Sequence, residues 1–352
     1  MLVRVVPLLA ILGILVVPLC FGCGALGIEE TDVPHTENYS VAQATAVTVL
    51  NSDLNGDIRV EAWGKDYVEL TWTRSTTWGK AEFDKADVEV TQATGTLEIE
   101  GSLLSRDAKV SVDYDIKLPR NVLLAEVTTG DGNITIVGTS GDAIVTTRLG
   151  NISVQNAAGH LDITADKGKI RLEGTTGGAE LATTDDVIEV VSADGDITAT
   201  NSNGGIAISD CKGNMTLETS HGGIQVDNLQ GSVLAAKTKN APITIKGATS
   251  VGVVETSDDD VTVEISSVGI SGTSIKVNTG SITLRLSSSV NANMELKALS
   301  GEVAVNSSAG TLDIQGEFAE QYFKGTVGAG GNRIYAETSK GRIDVYGLSA
   351  AG

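Results

Sequence analysis

The sequence holds few side chains that could build a metal or catalytic site, and the clearest of them are four neighbouring acidic residues. Glu255, Asp258, Asp259 and Asp260 would supply carboxylate oxygens, the ligands that calcium prefers. Calcium-binding nonapeptide β-repeats use a fixed glycine and a fixed aspartate in their turns, and the repeats of this chain do not keep either at those positions. We therefore favour a solvated loop and keep these four residues as weak candidates for a cation site.

Enzymes that cleave polysaccharides need carboxylates gathered on one face of adjacent coils. The repeat described below would stack Asp162 on Glu180 and Arg171 on Glu189. Stacked opposite charges are a common surface device, and no Phe, Tyr or Trp occurs between residues 115 and 317 to hold a sugar ring. No catalytic triad pattern, zinc-ligand spacing or nucleotide-binding glycine loop is present. We predict no catalytic residue, no cofactor and no metal.

Composition and charge exclude other classes of function. The chain has 352 residues, with 45 acidic and 25 basic side chains and a net charge of −20, so a nucleic-acid backbone would be repelled. Glycine accounts for 41 residues and aromatic residues for only 4% of the chain. The core must therefore be built from thin aliphatic layers.

The N-terminal segment indicates export. Residues 5–28 carry no charge and follow Arg4, which is the order of a secretion signal. Gly22 before Cys23 resembles the cleavage point of bacterial lipoprotein signals, so we predict a signal over 1–23 with lipidation at Cys23. An uncleaved membrane anchor and simple secretion are the alternatives, since about 20 apolar residues suffice to span a bilayer. Residues 24–45 lack strand or helix periodicity and are predicted to form a flexible tether.

A nine-residue repeat dominates the middle of the chain. Glycines recur at 132, 141, 150, 159, 168, 177, 195, 204, 213, 222 and 231, and the missing position in this series is Asp186. In each unit the third and fifth positions are aliphatic and their neighbours are mostly polar, as in Ile134 and Ile136 or Ile152 and Val154. This alternation predicts a short strand with one buried face in every unit.

Alternate units differ at their seventh position, which indicates a true period of eighteen residues. One series contains turn formers that tolerate positive φ (Gly138, Asn156, Gly174, Ser192, Asp210, Asn228), and the other favours threonine (Thr147, Ala165, Thr183, Asn201, Thr219, Lys237). We predict an all-β fold: a single-stranded, right-handed β-helix, or solenoid, with two strands per coil. The predicted solenoid covers 46–348, with a regular nonapeptide core over 132–240.

Aromatic residues gather on either side of this repeat. They are Trp63, Tyr67, Trp72, Trp78, Phe83 and Tyr114 before it, and Phe318, Tyr322, Phe323, Tyr335 and Tyr346 after it. Bulky caps prevent the strand edges at the ends of a solenoid from pairing with other chains. We predict aromatic-rich end caps, with a binding patch as the alternative.

Two segments near the start of the predicted solenoid resemble a known family. Residues 55–63 (NGDIRVEAW) and 114–121 (YDIKLPRN), together with the G-[D/N]-I-x-V units, are similar to the bacterial and archaeal putative-adhesin family of β-strand repeats. The resemblance covers about residues 46–348. It implies a single-stranded β-helix on exported or membrane-anchored proteins, and it supplies no catalytic residues.

These observations predict a non-catalytic, adhesin-like binding module on the cell surface, held to the membrane by its N-terminus, with an envelope or surface component as partner. The alternative is a membrane-tethered scaffold or envelope-stress sensor that works through a membrane protein, because similar domains accompany such systems. An enzyme acting on cell-wall polysaccharide is a third hypothesis.

Overall fold

The computed structural model describes residues 29–42, 45–306 and 312–348. The predicted signal, the lipidation residue Cys23 and the first part of the predicted tether lie outside these ranges. Within them, no helix is both long and apolar enough to cross a membrane. The one helical element in the described ranges is a short 3-10 helix at Lys80–Lys85, and all other regular structure there is β-strand.

The described residues form 32 strands. In the first third they are β1 (Glu30–Thr31), β2 (His35–Ser40), β3 (Ala46–Asn51), β4 (Ile58–Trp63), β5 (Tyr67–Thr76), β6 (Ala86–Ala93), β7 (Thr96–Leu103), β8 (Ser111–Pro119), β9 (Leu123–Asp131), β10 (Ile134–Val137) and β11 (Ala143–Leu149). The middle strands are β12 (Ile152–Gln155), β13 (Leu161–Lys167), β14 (Ile170–Glu173), β15 (Ala179–Thr183), β16 (Ile188–Val191), β17 (Ile197–Asn201), β18 (Ile206–Ser209), β19 (Met215–Thr219), β20 (Ile224–Asp227), β21 (Ser232–Lys237) and β22 (Ile243–Lys246). The last are β23 (Ser250–Asp258), β24 (Val261–Ile265), β25 (Thr273–Thr279), β26 (Ile282–Leu286), β27 (Ala292–Ala298), β28 (Val303–Asn306), β29 (Ile314–Ala319), β30 (Tyr322–Val327), β31 (Arg333–Lys340) and β32 (Ile343–Gly347).

The strands form two sheets of sixteen, and successive strands alternate between them through the middle of the chain. Sheet I contains β10, β12, β14 and the following even-numbered strands to β26 as parallel neighbours, and sheet II contains β9, β11, β13 and the following odd-numbered strands to β25. Ile134 lies beside Ile152, and Ile152 beside Ile170, so each coil advances by eighteen residues. The inward aliphatic side chains of both sheets belong to one buried core. The predicted all-β solenoid with two strands per coil is confirmed.

The turn after each short strand of sheet I follows the predicted seventh-position rule. All six residues of that series have φ in the left-handed region, at 68° (Gly138), 53° (Asn156), 63° (Gly174), 55° (Ser192), 54° (Asp210) and 53° (Asn228). Glycine, asparagine and aspartate adopt this conformation at the lowest cost. The turn chemistry read from the sequence therefore fixes where each coil bends.

A second set of glycines is required because adjacent coils approach closely. A Cβ atom on Gly150 would lie 2.0 Å from the carbonyl oxygen of Gly132, and a Cβ atom on Gly168 would lie 1.9 Å from that of Gly150. No real Cβ contact is this short, so only glycine fits without movement of the backbone. The column changes at Asp186, where the sheet II strands shorten from seven residues in β13 to five in β15.

Buried threonines of sheet II form a ladder beneath these turns. Thr147 donates its hydroxyl proton to the carbonyl oxygen of Gly132 at 2.9 Å, and Thr219 donates to Gly204 at 3.0 Å. The same bond recurs from Thr129, Thr183, Thr238 and Thr338 to the carbonyls of Gly56, Gly168, Gly222 and Gly280. The threonine preference of the alternate units is thus explained by hydrogen bonding inside the coil, since a buried carbonyl needs a partner.

Thr219→Val is expected to lower the free energy of unfolding by about 1–2 kcal/mol, because the carbonyl of Gly204 loses a buried donor while side-chain volume is kept. Thr216→Val is the matched control, because Thr216 lies on the same strand but outside the buried core. Urea denaturation of both variants measures the difference. Equal stability of the two would show that the hydroxyl of Thr219 contributes nothing.

The regular core ends earlier than the predicted residue 240. Met215 pairs with Val233 but Thr216 pairs with Ala235, so Leu234 is an extra residue that forms a β-bulge. Downstream of it the inward position is taken by Ala236 instead of Ala235, and the ladder threonine is Thr238 instead of Lys237. A bulge of this kind shifts the pattern by one residue, which glycine spacing does not reveal.

The N-terminal end differs from the predicted tether. Strand β1 pairs antiparallel with the end of β5, and β2 pairs with the rest of β5 from His35 opposite Trp72 to Ser40 opposite Tyr67. The His35 ring stacks on Trp72 with 5.2 Å between centroids. The prediction that residues 24–45 form a flexible tether is therefore wrong for β1 and β2. Their polar sequences gave no sign that they would pair with β5 as strands.

Both ends of the rod are built out of chain order. At the start, β3 and β4 form a coil, β5–β8 add strands on its outer side, and β9 then continues from the other side of β3. At the finish, β31 and β32 insert between β25/β26 and β27/β28. Antiparallel pairs close the ends: β5 with β8, β6 with β7, and β30 with both β27 and β29. These end strands carry half of the aromatic residues in the described ranges, and the other half lie outside the regular repeat, as predicted for aromatic-rich caps.

Candidate functional site

The outer face of sheet I contains the column of side chains expected from the sequence. Thr135, Ser153, Arg171, Glu189, Ala207 and Gln225 lie on successive neighbouring strands. Arg171 forms ion pairs with Glu189 and, at 3.0 Å, with Glu173. The bond from Arg171 holds the pKa of Glu189 below its usual range. A carboxylate kept ionised in this way serves as a surface partner and not as a general acid.

The other predicted stacked pair is also present. Asp162 lies opposite Glu180 on adjacent strands of sheet II, with both side chains on the outer face. Stacked like charges are unfavourable by themselves. Neither carboxylate has a basic or histidine side chain within ion-pair distance among the residues that the structure describes. Asp162 and Glu180 are therefore two stacked, solvent-exposed carboxylates.

The four weak cation candidates are not brought together as one ligand set. Glu255 lies on β23 and pairs with Lys237 at 3.3 Å. Asp259 accepts the amide proton of Asp260, and Asp260 accepts that of Ser281, at 2.8 and 2.7 Å. In the described parts of the chain, no three His, Cys, Asp or Glu side chains are arranged to hold a metal ion.

Sheet II carries a feature that sequence reasoning missed. Six residues of alternating charge lie side by side on its outer face, one on each of six neighbouring strands; we call them the charge column. From the middle of the rod toward its C-terminal end, the charge column is Glu218, Lys237, Glu255, Lys276, Glu337 and Lys297. Neighbouring strands are about 4.8 Å apart, so opposite charges alternate at that spacing over roughly 24 Å.

A shallow groove of about 400 Å³ runs along the charge column. Five of the six column residues line it, together with Lys239 just after β21, Asn278 in β25 and Ser339 in β31. Lys237 and Glu255 have side chains that are 44% and 40% exposed although they are paired with each other. The groove thus presents charged groups that remain open to a partner.

Charged and aromatic groups flank the end of the charge column. The Arg333 guanidinium lies 4.4 Å from the centre of the Tyr335 ring, and the Lys297 ammonium lies 5.3 Å from it. Both cations also bind Glu295, at 2.7 Å for Arg333 and 2.8 Å for Lys297. The hydrogen bond from Lys297, followed by that from Arg333, lowers the pKa of Glu295, so this cluster stays charged at neutral pH.

Cys211, the one cysteine within the described residues, is buried and free. Its thiol lies 3.1 Å from the carbonyl oxygen of Ser209, and burial raises its pKa. A thiol of raised pKa that is only 1% exposed has little reactive thiolate.

Alkylation of Cys211 by iodoacetamide is therefore expected to be at least about 100-fold slower in the folded protein than in urea. Peptide mass spectrometry separates this residue from other cysteines of the chain. Rapid labelling without denaturant would contradict the burial of the Cys211 thiol.

The two largely parallel sheets and their antiparallel ends define the chain as a capped β-solenoid. No protein-family model matches the chain, and no curated protein matches it. Solved structures that match include a "putative cell adhesion protein" from Clostridium sporogenes, with 11% identity, coverage of 90% of this chain and 100% of that chain, and a TM-score of 0.20. A "putative adhesin" from Bacteroides fragilis has 13% identity, coverage of 90% and 97%, and a TM-score of 0.31.

A third match is a "putative adhesin" from Parabacteroides distasonis, with 13% identity, coverage of 89% and 97%, and a TM-score of 0.32. With TM-scores this low, the fold and function of the present chain must be argued from its own residues.

Proposed function

We propose that this chain is an exported, membrane-anchored and non-catalytic β-solenoid that binds another component of the cell envelope or a cell surface, in an adhesin-like role. The observation that carries this proposal is the charge column with its groove on the outer face of sheet II. The N-terminal apolar segment of the sequence supports export and anchoring, with Cys23 as the proposed lipidation residue.

Alternating charges on a rigid sheet favour recognition by pattern. A partner must place its own charges in the opposite order at the strand spacing, and any shifted arrangement brings like charges together. Exposed ion pairs add little binding energy individually. Binding would therefore be weak at each contact, repeated along the rod and sensitive to salt.

Neutralising two lysines of the charge column tests this function. Lys237→Gln combined with Lys276→Gln is expected to reduce retention of the purified protein on an isolated cell-envelope fraction at least about 5-fold at low salt. The matched control is Lys212→Gln with Lys246→Gln, two exposed lysines outside sheet II. Equal losses in both double variants, or no loss in the first, would contradict a binding role for the charge column.

A membrane-tethered scaffold or sensor is the second candidate. It is favoured by the pairing of β1 and β2 with β5, which leaves little free chain between the apolar segment and the rod. A photo-crosslinking residue at Ser339, in the groove, distinguishes the two on intact cells. Adducts with an extracellular polymer or a neighbouring cell indicate adhesion, whereas adducts with a protein of the same membrane indicate the scaffold or sensor. A control probe at Gln225 lies on the opposite sheet.

The third hypothesis, an enzyme acting on cell-wall polysaccharide, has Asp162 and Glu180 as its carboxylate pair on the outer columns described above, on regular coils whose sequence contains no aromatic residue to hold a sugar ring. Release of soluble oligosaccharides from a purified envelope polymer by the protein would revive it.

A further inference from the structure

The folded body begins almost directly after the apolar N-terminal segment. Residues 5–28 are uncharged, and the described chain starts at Glu29, followed by β1 at Glu30–Thr31. If the membrane attachment is Cys23, the five residues 24–28 separate it from Glu29, a reach of at most about 20 Å. A tether as long as residues 24–45 would have reached about 75 Å. The first strands therefore hold the N-terminal end of the rod close to the membrane.

Specific contacts fasten this first segment to the end of the rod. The Arg74 guanidinium binds the carboxylate of Asp32 through Nε at 3.0 Å and donates to the carbonyl oxygen of Phe83 at 2.9 Å. The Arg74 guanidinium beside Asp32 holds the pKa of that carboxyl below its usual range, so the contact persists at neutral pH. Arg74 thus joins the residue after β1 to the 3-10 helix that follows Trp78.

Exposed apolar side chains gather at this same end. Trp78 is 71% exposed, Leu104 is 64% exposed and Val33 is 75% exposed. The loops that carry Trp78 and Leu104 are tied together, because the Leu104 amide donates to the carbonyl oxygen of Lys85 and the Lys109 amide donates to Glu82, both at 2.8 Å. Glu29, the first residue after the apolar segment, and Trp78 line one hollow of about 310 Å³.

Exposed side chains of both charge signs surround these residues, and Asp84 and Asp107 are among the acidic ones. Lys80, Arg106 and Lys109 are exposed, and within the described ranges none of them forms an ion pair. They belong to a chain whose net charge is −20. Tryptophan favours the interfacial layer of a bilayer, and nearby cations are attracted to anionic headgroups.

We infer that the N-terminal end of the rod docks on the membrane in which the chain is anchored. Trp78 and Leu104 enter the interfacial layer, and Lys80, Arg106 and Lys109 lie at the level of the headgroups. The inference rests on the membrane anchoring in the proposed function. It goes further by fixing which end of the rod faces the lipid.

Docking sets the height of the proposed binding face. In sheet II, β19 is the ninth strand and β27 the fourteenth strand from the N-terminal edge strand β6. At about 4.8 Å per strand, the charge column would lie roughly 40–60 Å above the docked end if the rod stands upright. The charge column would then face components well outside the headgroup layer.

Quenching by brominated lipids tests this docking. The full-length chain is reconstituted into vesicles of phosphatidylcholine with phosphatidylglycerol, with and without bromine on the acyl chains. Trp63→Phe with Trp72→Phe leaves Trp78 as the one tryptophan. The matched control adds Trp78→Phe and Phe318→Trp, which moves the reporter to a residue that is 60% exposed at the opposite end. We expect at least 2-fold quenching of Trp78 and less than 1.2-fold quenching of the tryptophan at 318.

Flotation of the same samples separates two failures. If the protein does not float with the vesicles, membrane anchoring itself is wrong. If it floats but Trp78 is quenched no more than the tryptophan at 318, membrane anchoring is supported and docking of the N-terminal end is wrong. Equal and strong quenching of both reporters would mean that the rod lies flat on the membrane, which also contradicts docking by one end. Trp72 packs against the core, so Trp72→Phe could lower the melting temperature of the double variant. In that case, the part of the quenching that Trp78→Phe removes from the otherwise unchanged chain gives the same answer.

Discussion

Gly150→Asn is expected to lower the free energy of unfolding by about 3–5 kcal/mol. Two costs combine at this position. Gly150 has a φ of 149°, which side chains rarely adopt, and a Cβ atom would lie 2.0 Å from the carbonyl oxygen of Gly132 on the neighbouring coil. That oxygen belongs to the backbone, so relief would require two coils to separate and their hydrogen bonds to lengthen.

Gly138→Asn is the matched control for this prediction. Gly138 also has a positive φ, 68°, but its nearest neighbour would be the Cβ atom of Ala62 at an ordinary 3.7 Å. Asn156 occupies the equivalent turn of the next coil with a φ of 53°. The cost should therefore stay below about 1 kcal/mol. Urea denaturation of the two variants compares them, and equal losses would contradict the close approach of coils at Gly150.

Ile152→Asp is expected to cost about 4 kcal/mol or more, or to prevent folding. Ile152 is only 1% exposed and lies between Ile134 and Ile170 in the inward column of sheet I. Its neighbours are aliphatic, so a carboxylate there would find no hydrogen-bond donor or counter-charge. Protonation would relieve part of the cost, and the variant should regain some stability as the pH falls.

Ser153→Asp places the same group one residue away on the outer face. Ser153 lies beside Arg171 on the neighbouring strand, so the new carboxylate gains a cation and remains hydrated. The change should stay within about 0.5 kcal/mol of wild type. Thermal melts of both variants at neutral pH test the inward and outward assignment. Similar melting of Ile152→Asp and wild type would show that the assigned register is wrong.

The repeat could be read from the sequence because its causes are local. A strand of alternating residues, a turn residue that accepts positive φ and a glycine at a close approach each leave a signal within nine residues. The positive φ of Ser192 and Asp210 shows that this reasoning holds even where glycine is absent. The bulge at Leu234 could not be predicted from the sequence, because the surrounding residues keep their chemical character while the strand register shifts by one residue.

The charge column could not be predicted because it is assembled by non-local order. Glu337 lies between Lys276 and Lys297 only because β31 inserts between β25 and β27. No local sequence pattern predicts that β31 inserts between these strands. Strand β2 was not predicted for a related reason. Its sequence, HTENYS, is polar, and its pairing with β5 depends on a free strand edge that the rest of the fold provides.

The direction of the strands decides how the rod responds to a pulling force. Tension between an N-terminal anchor and a partner held at the far end would run across the strands, along their hydrogen bonds. Those bonds would open one after another and not all at once, as they do when strands are sheared along their length. Each eighteen-residue coil that opened would release about 60 Å of extended chain in place of a rise of about 4.8 Å. Under load, the stacked coils would therefore act as an extensible spring that yields coil by coil while the contact at its tip is kept.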